Sequence, residues 1–422
     1  MRHWTLKTRG HLPIGLDMGH HSIKMIQLAG NGEQISVIAA NKVVLDPRIA
    51  GDADKRREFV VTTIRQMLAN GSFRGRNVVS CLPSEKLRIT SVRVGEAESA
   101  RIRQVLRKEA SQRFGLDPEK DAIHYLVAGN VRQGDEIKNE LILLATDNDT
   151  IRGHIETLEA AQLRPVGIDT VPCALFRGFE RSLRRQEDRS SSHVFVDVGS
   201  RFTTVVFARG EKISFVKQIA IGGENFTREI ASKLGINVNE AELLRRKLRT
   251  ERSINRSTGT LAPASDQDTT GTDDRVHTNG VSKGGTGLDV STQQVMVDAM
   301  RTVAEELARE ISLCFRYYTV TFRGKRVERA VFSGGEAHER ISLNVLRRQL
   351  SVEIEVAQPL RGFDISSERT IVDFDSDRRG WLCEWAVAVG LGLKWYNEGA
   401  KGEKEHLEAA GVTGKGDSYE GH

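Results

Sequence analysis

The chain contains one segment twice. IGLDMGHHSIKMIQLAG, beginning at Ile14, returns 180 residues later as VFVDVGSRFTTVVFARG, beginning at Val194. In this register Asp17 meets Asp197, Gly19 meets Gly199, Ile26 meets Val206 and Gly30 meets Gly210. Each copy reads as a short apolar strand ending in an acid, a glycine turn two residues later, and an apolar strand returning to a second glycine turn. A third strand is expected after each copy, over 34–39 and 212–221. A chain built on two copies of one hairpin is constrained to fold as two like halves.

Around these hairpins, apolar spacing predicts helices over 55–70, 98–113, 152–162 and 225–234, and strands over 77–81, 91–94 and 141–146. Met300, Val303, Ala304, Leu307, Ile311, Cys314, Phe315 and Tyr318 recur at three- and four-residue spacing, the buried stripe of a long amphipathic helix. The fold class is therefore α/β. The length of 422 residues suggests about three domains or subdomains. With 39% apolar residues and 39 glycines, the chain has the composition of a folded protein.

Two stretches stand apart. Residues 250–293 are rich in Ser, Thr, Gly and Asp and lack aromatics, so they cannot offset their ordering entropy and are expected to lack regular structure. The tail 397–422 is similarly solvated and has no amphipathic anchor. No apolar run approaches the ~20 residues that cross a bilayer; the nearest, 385–393, is interrupted by glycine. Cys81, Cys173, Cys314 and Cys383 form no C-x-x-C pair and read as reduced core residues. The start is basic but has no apolar signal core, which points to a cytoplasmic location.

A net charge of +5, from 62 basic and 57 acidic residues, gives no case for nucleic acid. The basic runs 177–189 and 245–256 are either solvated helix faces or holders of phosphates and acidic lipids.

An aspartate ending a buried strand needs a partner for its charge. Asp17 and Asp197 in duplicated hairpins can converge on one cleft, where a single divalent cation would compensate both. The turns at 19–22 and 199–203 can offer successive N–H groups to phosphate oxygens, with Mg²⁺ bridging phosphate to carboxylate through water. A third piece, AVFSGGEAH from Ala330, runs a strand into Ser333, Gly334 and Gly335, where backbone can approach a flat ring or a phosphate without a Cβ in the way. The Walker cradle is missing: neither Gly324-Lys325 nor Gly414-Lys415 has its upstream glycine or trailing hydroxyl residue.

The order of these pieces resembles the actin-like ATPase superfamily. Within it, the chain from about residue 12 to 396 resembles the type IV pilus assembly PilM family, relatives of the cell-division protein FtsA. GLDMGHHSIKMIQL resembles that family's opening, VDVGSRFTTVVF its second hairpin, IAIGGENFTREIASKLGINVNEAELLRRKL the segment ending in its A-E-x-x-K, and AVAVGLGLK its closing helix.

The resemblance implies a duplicated actin-like fold with two halves around a nucleotide cleft. Residues 12–83 and 162–190 would form the first half, 84–161 a small subdomain inserted in it, 191–222 and 328–396 the second half, and 223–327 a nucleotide-proximal subdomain. The implied cofactors are ATP and Mg²⁺, with Asp17 and Asp197 holding the metal through water. Gly19, His20, His21 and Ser22 would line the first phosphate turn; Gly199, Ser200, Arg201 and Thr203 would line the second. Gly222 and Gly223 would border the nucleotide, Glu242 would reach the ribose, and Ser333, Gly334, Gly335 and Glu336 would pass beneath adenosine. Lys24 would either neutralise phosphate or stand on a solvated strand face, and Glu242 has a solvated helix face as its alternative.

Three positions depart from the family's pattern. His20 and His21 occupy a turn that usually has small residues; an adjacent pair invites a metal reading but has no third ligand at hand. Arg245 replaces the lysine of A-E-x-x-K. Val171 stands before Pro172 where related ATPases carry a water-orienting glutamate, which implies weak or no hydrolysis. The implied function is a cytoplasmic ATP-binding scaffold of pilus assembly. It would capture the cytoplasmic N-terminal peptide of an inner-membrane, PilN-like partner and so lie peripheral to that membrane, with self-association also open. The rivals are an FtsA-like filament protein and a small-molecule kinase, for which Asp169 is the one candidate catalytic carboxylate.

Overall fold

The computed structural model describes residues 10–31, 34–46, 52–95, 98, 101–181, 191–257, 288–322, 327, 329–365 and 381–396. Each duplicated hairpin seeds a sheet. In the first half, β1 (Gly10–His11), β2 (Ile14–Met18), β3 (Ser22–Asn31) and β4 (Gln34–Val44) lead through α1 (Ala53–Asn70) to β5 (Asn77–Cys81). The chain then forms a separate sheet from β6 (Arg88–Gly95), α2 (Ile102–Phe114), β7 (Ala122–Gln133) and β8 (Glu136–Thr146). It returns through α3 (Asn148–Ala160) to β9 (Arg164–Asp169) and α4 (Val171–Glu180).

The second half runs β10 (Ser192–Val198), β11 (Thr203–Arg209), β12 (Lys212–Ile219), α5 (Gly223–Leu234), α6 (Val238–Ser257), α7 (Val290–Phe322), β13 (Arg329–Ser333), α8 (Arg340–Gln349), β14 (Glu353–Val356) and α9 (Ala386–Gly392).

The strand orders show the duplication. Along β4-β3-β2-β5-β9 and along β12-β11-β10-β13-β14, two antiparallel pairings are followed by two parallel ones. Alternation then divides the side chains. Ile14, Leu16, Ile23 and Met25 pack with Val60, Ile64 and Met67 of α1, whereas Ile26 and Leu28 pack with Ala388 and Val389 of α9. In the second half the predicted stripe of α7, from Met300 to Tyr318, is buried in one core with Phe207 and Phe226, except Phe315, which is partly buried against it.

The halves exchange helices. Leu175, Phe176 and Phe179 of α4, which leaves the first sheet, pack into the second half's core beside Phe195. α9, which closes the second half, lies on β2, β3 and β5 and crosses α4. The crossing is close because of glycine: a Cβ at Gly390 would sit 1.8 Å from the Ala174 carbonyl oxygen, and one at Gly15 2.2 Å from that of Ala388. Gly390→Ala is therefore expected to destabilise the protein by about 1–3 kcal/mol or more through overpacking. Gly153→Ala, which meets open space in α3, should be neutral or stabilising by about 0.5–1 kcal/mol. Thermal unfolding of the two variants checks this, and equal midpoints would contradict it.

Two expected boundaries shift. The stretch 250–293 does not lack regular structure throughout: α6 continues to Ser257 and α7 begins at Val290. Residues 258–287 and the tail 397–422 lie outside the described residues. Within the expected insertion 84–161, Leu158 of α3 is buried with the first half's core, against α1 and β9. The three-stranded sheet is covered by α2 on one face, where Val92, Val94, Leu141 and Leu143 meet Leu106 and Ala110. Its other face, with Ala128, Ile142 and Leu144, packs against β12 and α7 of the second half. Buried Glu140 marks that junction, accepting from Arg93 Nε at 2.9 Å and from Tyr317 Oη at 3.2 Å. The four cysteines are free thiols; Cys81, Cys314 and Cys383 are buried. No helix among the described residues is long and apolar enough to cross a membrane.

Candidate nucleotide site

The duplicated turns line one cavity of about 600 Å³ between the halves, within the range of small-molecule sites. Their backbones match: Gly19 N donates to Ser22 O and Gly199 N to Phe202 O, both at 3.0 Å. A Cβ on either glycine would crowd that same carbonyl. Gly19, His20, His21 and Ser22 line the cavity from one side, and Gly199, Ser200 and Arg201 from the other.

Asp17 and Asp197 both lie at this cavity, so the predicted convergence is what the structure has. Their charges are met differently from expectation. Lys24, opposite Asp17 in the β2–β3 ladder, donates from Nζ to Asp17 Oδ2 at 3.2 Å. Burial pushes the Lys24 ammonium down, but Asp17, Glu384 and Asp197 outweigh it and hold Lys24 above the ordinary lysine value. Lys24 therefore stands on no solvated face; it is 7% exposed. Asp197 accepts a hydrogen bond from Ser333 Oγ at 3.1 Å. Burial and the neighbouring Asp17 charge push its carboxyl up to about 6.

The S-G-G-E turn follows β13, the parallel neighbour of β10. Gly334 has φ +94°, and a Cβ there would meet Val198 O at 2.4 Å, so only glycine permits this approach. Gly334, Gly335 and Glu336 line the cavity, as do Gly223, Glu242 and Arg245. Arg245 is 2% exposed; it donates to Gly223 O at 3.0 Å, pairs with Glu336 and lies over the Phe226 ring at 5.0 Å. Arg249 also pairs with Glu336 and reaches Glu339 at 2.8 Å. Burial raises the Glu336 carboxyl, but the two guanidiniums outweigh it and bring it down to about 2. Glu242 accepts from Thr227 Oγ1 at 2.9 Å and from Arg246 at 3.2 Å. The resemblance places Arg245 and Glu336 against the nucleotide; here they also hold one another, binding α6 to the turn after β13.

Four expected residues do not line the cavity. Thr203 points away and donates to Ile221 O at 2.7 Å; its neighbour Thr204, paired with Asp197 in the ladder, takes the cavity side. Alternation along the strand explains the swap. Gly222 caps α5, where a Cβ would strike the Gly199 and Ser200 carbonyls at 2.6–2.7 Å. Ser333 acts on Asp197 from behind. Asp169 is sequestered: Arg177 Nη1 lies 3.0 Å and Lys394 Nζ 3.1 Å from Oδ2, and the Thr170 N–H donates to Oδ1 at 2.7 Å. Burial pushes this carboxyl up, but Arg177 and Lys394 outweigh it and hold it below the ordinary aspartate value. A base so paired cannot face a substrate hydroxyl, which corrects the catalytic candidate. Val171 does line the cavity.

Sequence reasoning missed several residues. Arg56 of α1 donates to Gly19 O at 3.0 Å and His20 O at 3.4 Å, clamping the first turn. Lys42, beside Lys24 in the β3–β4 ladder, pairs with Glu384 at 2.5 Å. Glu85 pairs with His20 at 2.9 Å, and Arg201 with Glu224 at 2.8 Å. Of these, only Lys42 had a local signal, its place on the strand after the first hairpin.

Two like halves with acid-ended hairpins on one cleft define the duplicated actin-like ATPase fold. A sequence model of the type IV pilus assembly protein PilM matches residues 15–269, more than half of the chain. The chain belongs to the PilM family.

Among solved structures, the fold is similar to a PilM–PilN type IV pilus biogenesis complex, with a TM-score of 0.67 and 20% identity over 92% of this chain and 98% of that one. The ethanolamine utilization protein EutJ from Carboxydothermus hydrogenoformans matches at TM-score 0.49 and 13% identity, over 92% and 90% of the two chains. MreB5 of Spiroplasma citri, bound to ADP, matches at 0.43 and 11%, over 89% and 94%.

Proposed function

We propose that the protein is an ATP-binding scaffold of type IV pilus assembly, which captures the cytoplasmic N-terminal peptide of a PilN-like inner-membrane partner and is thereby held at the membrane's inner face. The observation that carries the nucleotide part is Asp197. A buried carboxyl beside a second carboxylate, held by one serine hydroxyl, is a group that a divalent cation would satisfy. Among the described residues no three His, Cys, Asp or Glu side chains are grouped to hold a metal. An ion here would keep much of its water and take other oxygens from phosphate, which is the habit of Mg²⁺. Glycine turns and the cations Lys24, Lys42, Arg56 and Arg201 suit a phosphate chain. The residues present fit Mg²⁺–ATP.

Bound at both turns, the nucleotide would bridge the two halves. Hydrolysis needs a polar group that holds water in line with the γ-phosphate; Val171 is apolar and Asp169 is occupied by two cations. Slow turnover, with the scaffold depending on occupancy, is what this reading expects. The partner reading is supported by family membership and by likeness to the fold of a PilM found in complex with PilN.

Calorimetric titration with ATP, with and without Mg²⁺, and with the partner's N-terminal peptide tests the reading. Mg²⁺-dependent ATP binding, tighter peptide binding in its presence, and turnover well below about 1 per second are expected. Absence of ATP binding, or turnover at ordinary enzyme rates, overturns it.

A further inference from the structure

The nucleotide reading leaves unused an acid that lies inside the cavity beside the first phosphate turn. Glu85 stands on the single turn Ser84–Lys86, which joins the end of β5 to the three-stranded sheet. Both of its carboxylate oxygens lie at hydrogen-bond distance from His20 Nε2, at 2.9 and 3.0 Å. His20 Nδ1 is buried and has no hydrogen-bond partner among the described residues. The His20 carbonyl is held by Arg56. On the sheet's side, Thr146 Oγ1, at the end of β8, donates to Lys86 O at 2.9 Å, so both roots of the sheet meet at this turn. Burial raises the Glu85 carboxyl, but the hydrogen bond and charge of His20, together with Arg201 across the cleft, hold it below the ordinary glutamate value. It is an anion among the cations that would receive phosphate.

The sheet's broad face packs on the second half. The His20–Glu85 pair joins the turn at the sheet's root to the first half's phosphate turn. A phosphate chain at that turn brings several negative charges within a few ångströms of Glu85, in a partly desolvated cleft where like charges repel strongly. It also offers His20 a second anionic acceptor at the same place.

We propose that Glu85 is a built-in competitor of the nucleotide phosphates for His20: the pair fastens the root of the three-stranded sheet while the cleft holds no phosphate, and phosphate binding displaces it and releases the Ser84–Lys86 turn. This rests on the nucleotide reading and adds its regulation. Occupancy of the cleft is thereby reported to the inserted sheet by exchange of one histidine between two anions.

Glu85→Gln removes the competing charge and keeps the shape. Mg²⁺–ATP affinity should rise about tenfold. Amide hydrogen exchange in 82–95 should increase on ATP addition in the wild-type protein, and should already be high and unresponsive to ATP in E85Q. His20→Ala, which removes the link from its other end, should show the same raised exchange without ATP. If wild type binds ATP but E85Q binds it equally or more weakly, or if E85Q still responds in 82–95 as wild type does, the proposal is overturned while the nucleotide reading stands. If wild type binds no ATP, both fall.

Discussion

Asp197→Asn is expected to make the ligand-free protein more stable at pH 7 while reducing Mg²⁺-dependent ATP affinity about 10–100-fold, the usual cost of losing a residue that acts on a metal through its water shell. Folded Asp197 releases its proton near pH 6, against 3.8 as the ordinary value. Between those values the folded state binds more protons than the unfolded one, so stability falls as pH rises from about 4 to about 6 and stays reduced above. The full gap corresponds to about 3 kcal/mol, and relaxation in a real cleft brings the expected gain to about 1–3 kcal/mol.

Asparagine is isosteric and can still accept from Ser333. Denaturant unfolding at pH 4, 5, 6 and 7, with and without Mg²⁺, tests the idea. Wild type should lose stability across this series relative to D197N, and Mg²⁺–ATP should restore it in wild type alone. A parallel pH dependence in the two proteins would refute the assignment.

The second large effect is at Glu336. Glu336→Ala leaves Arg245, nearly inaccessible, without its carboxylate partner and takes one of two from Arg249. An uncompensated buried charge costs about 3–5 kcal/mol. Because Arg245 also holds the Gly223 carbonyl, α5 and the turn after β13 should separate and nucleotide affinity should fall with stability. Glu336 has the opposite pH sign from Asp197. Its folded value is near 2 and the ordinary value is 4.5, so its contribution is complete above about pH 4.5 and is lost as pH falls toward 2. The double variant E336A/R245M removes both charges and should recover much of the lost stability, since apolar replacement of a buried pair is often neutral or favourable. A double variant as unstable as the sum of the singles would show that the two residues act independently.

The sequence by itself determined what depends on short spacing. An apolar strand ending in an acid, with glycine two residues on, closes the same turn wherever it occurs, and its repeat at 180 residues specified two like sheets. The S-G-G-E turn and the α7 stripe were legible for the same local reason. Alternation even carried the correction at Thr203, whose neighbour Thr204 is the one in register with Asp197.

Tertiary structure alone decided which charges meet. His20 finds Glu85 65 residues away, Lys42 finds Glu384 at 342, and Asp169 is closed off by Lys394 at 225. The strand segment holding Asp169 reads the same whether its carboxylate faces a cleft or a pair of cations. The family resemblance placed the three-stranded sheet in the first half, but the face not covered by α2 packs on the second. Apolar burial is non-directional and takes whichever complementary surface the fold brings near, and an ion pair forms by distance in space rather than in sequence.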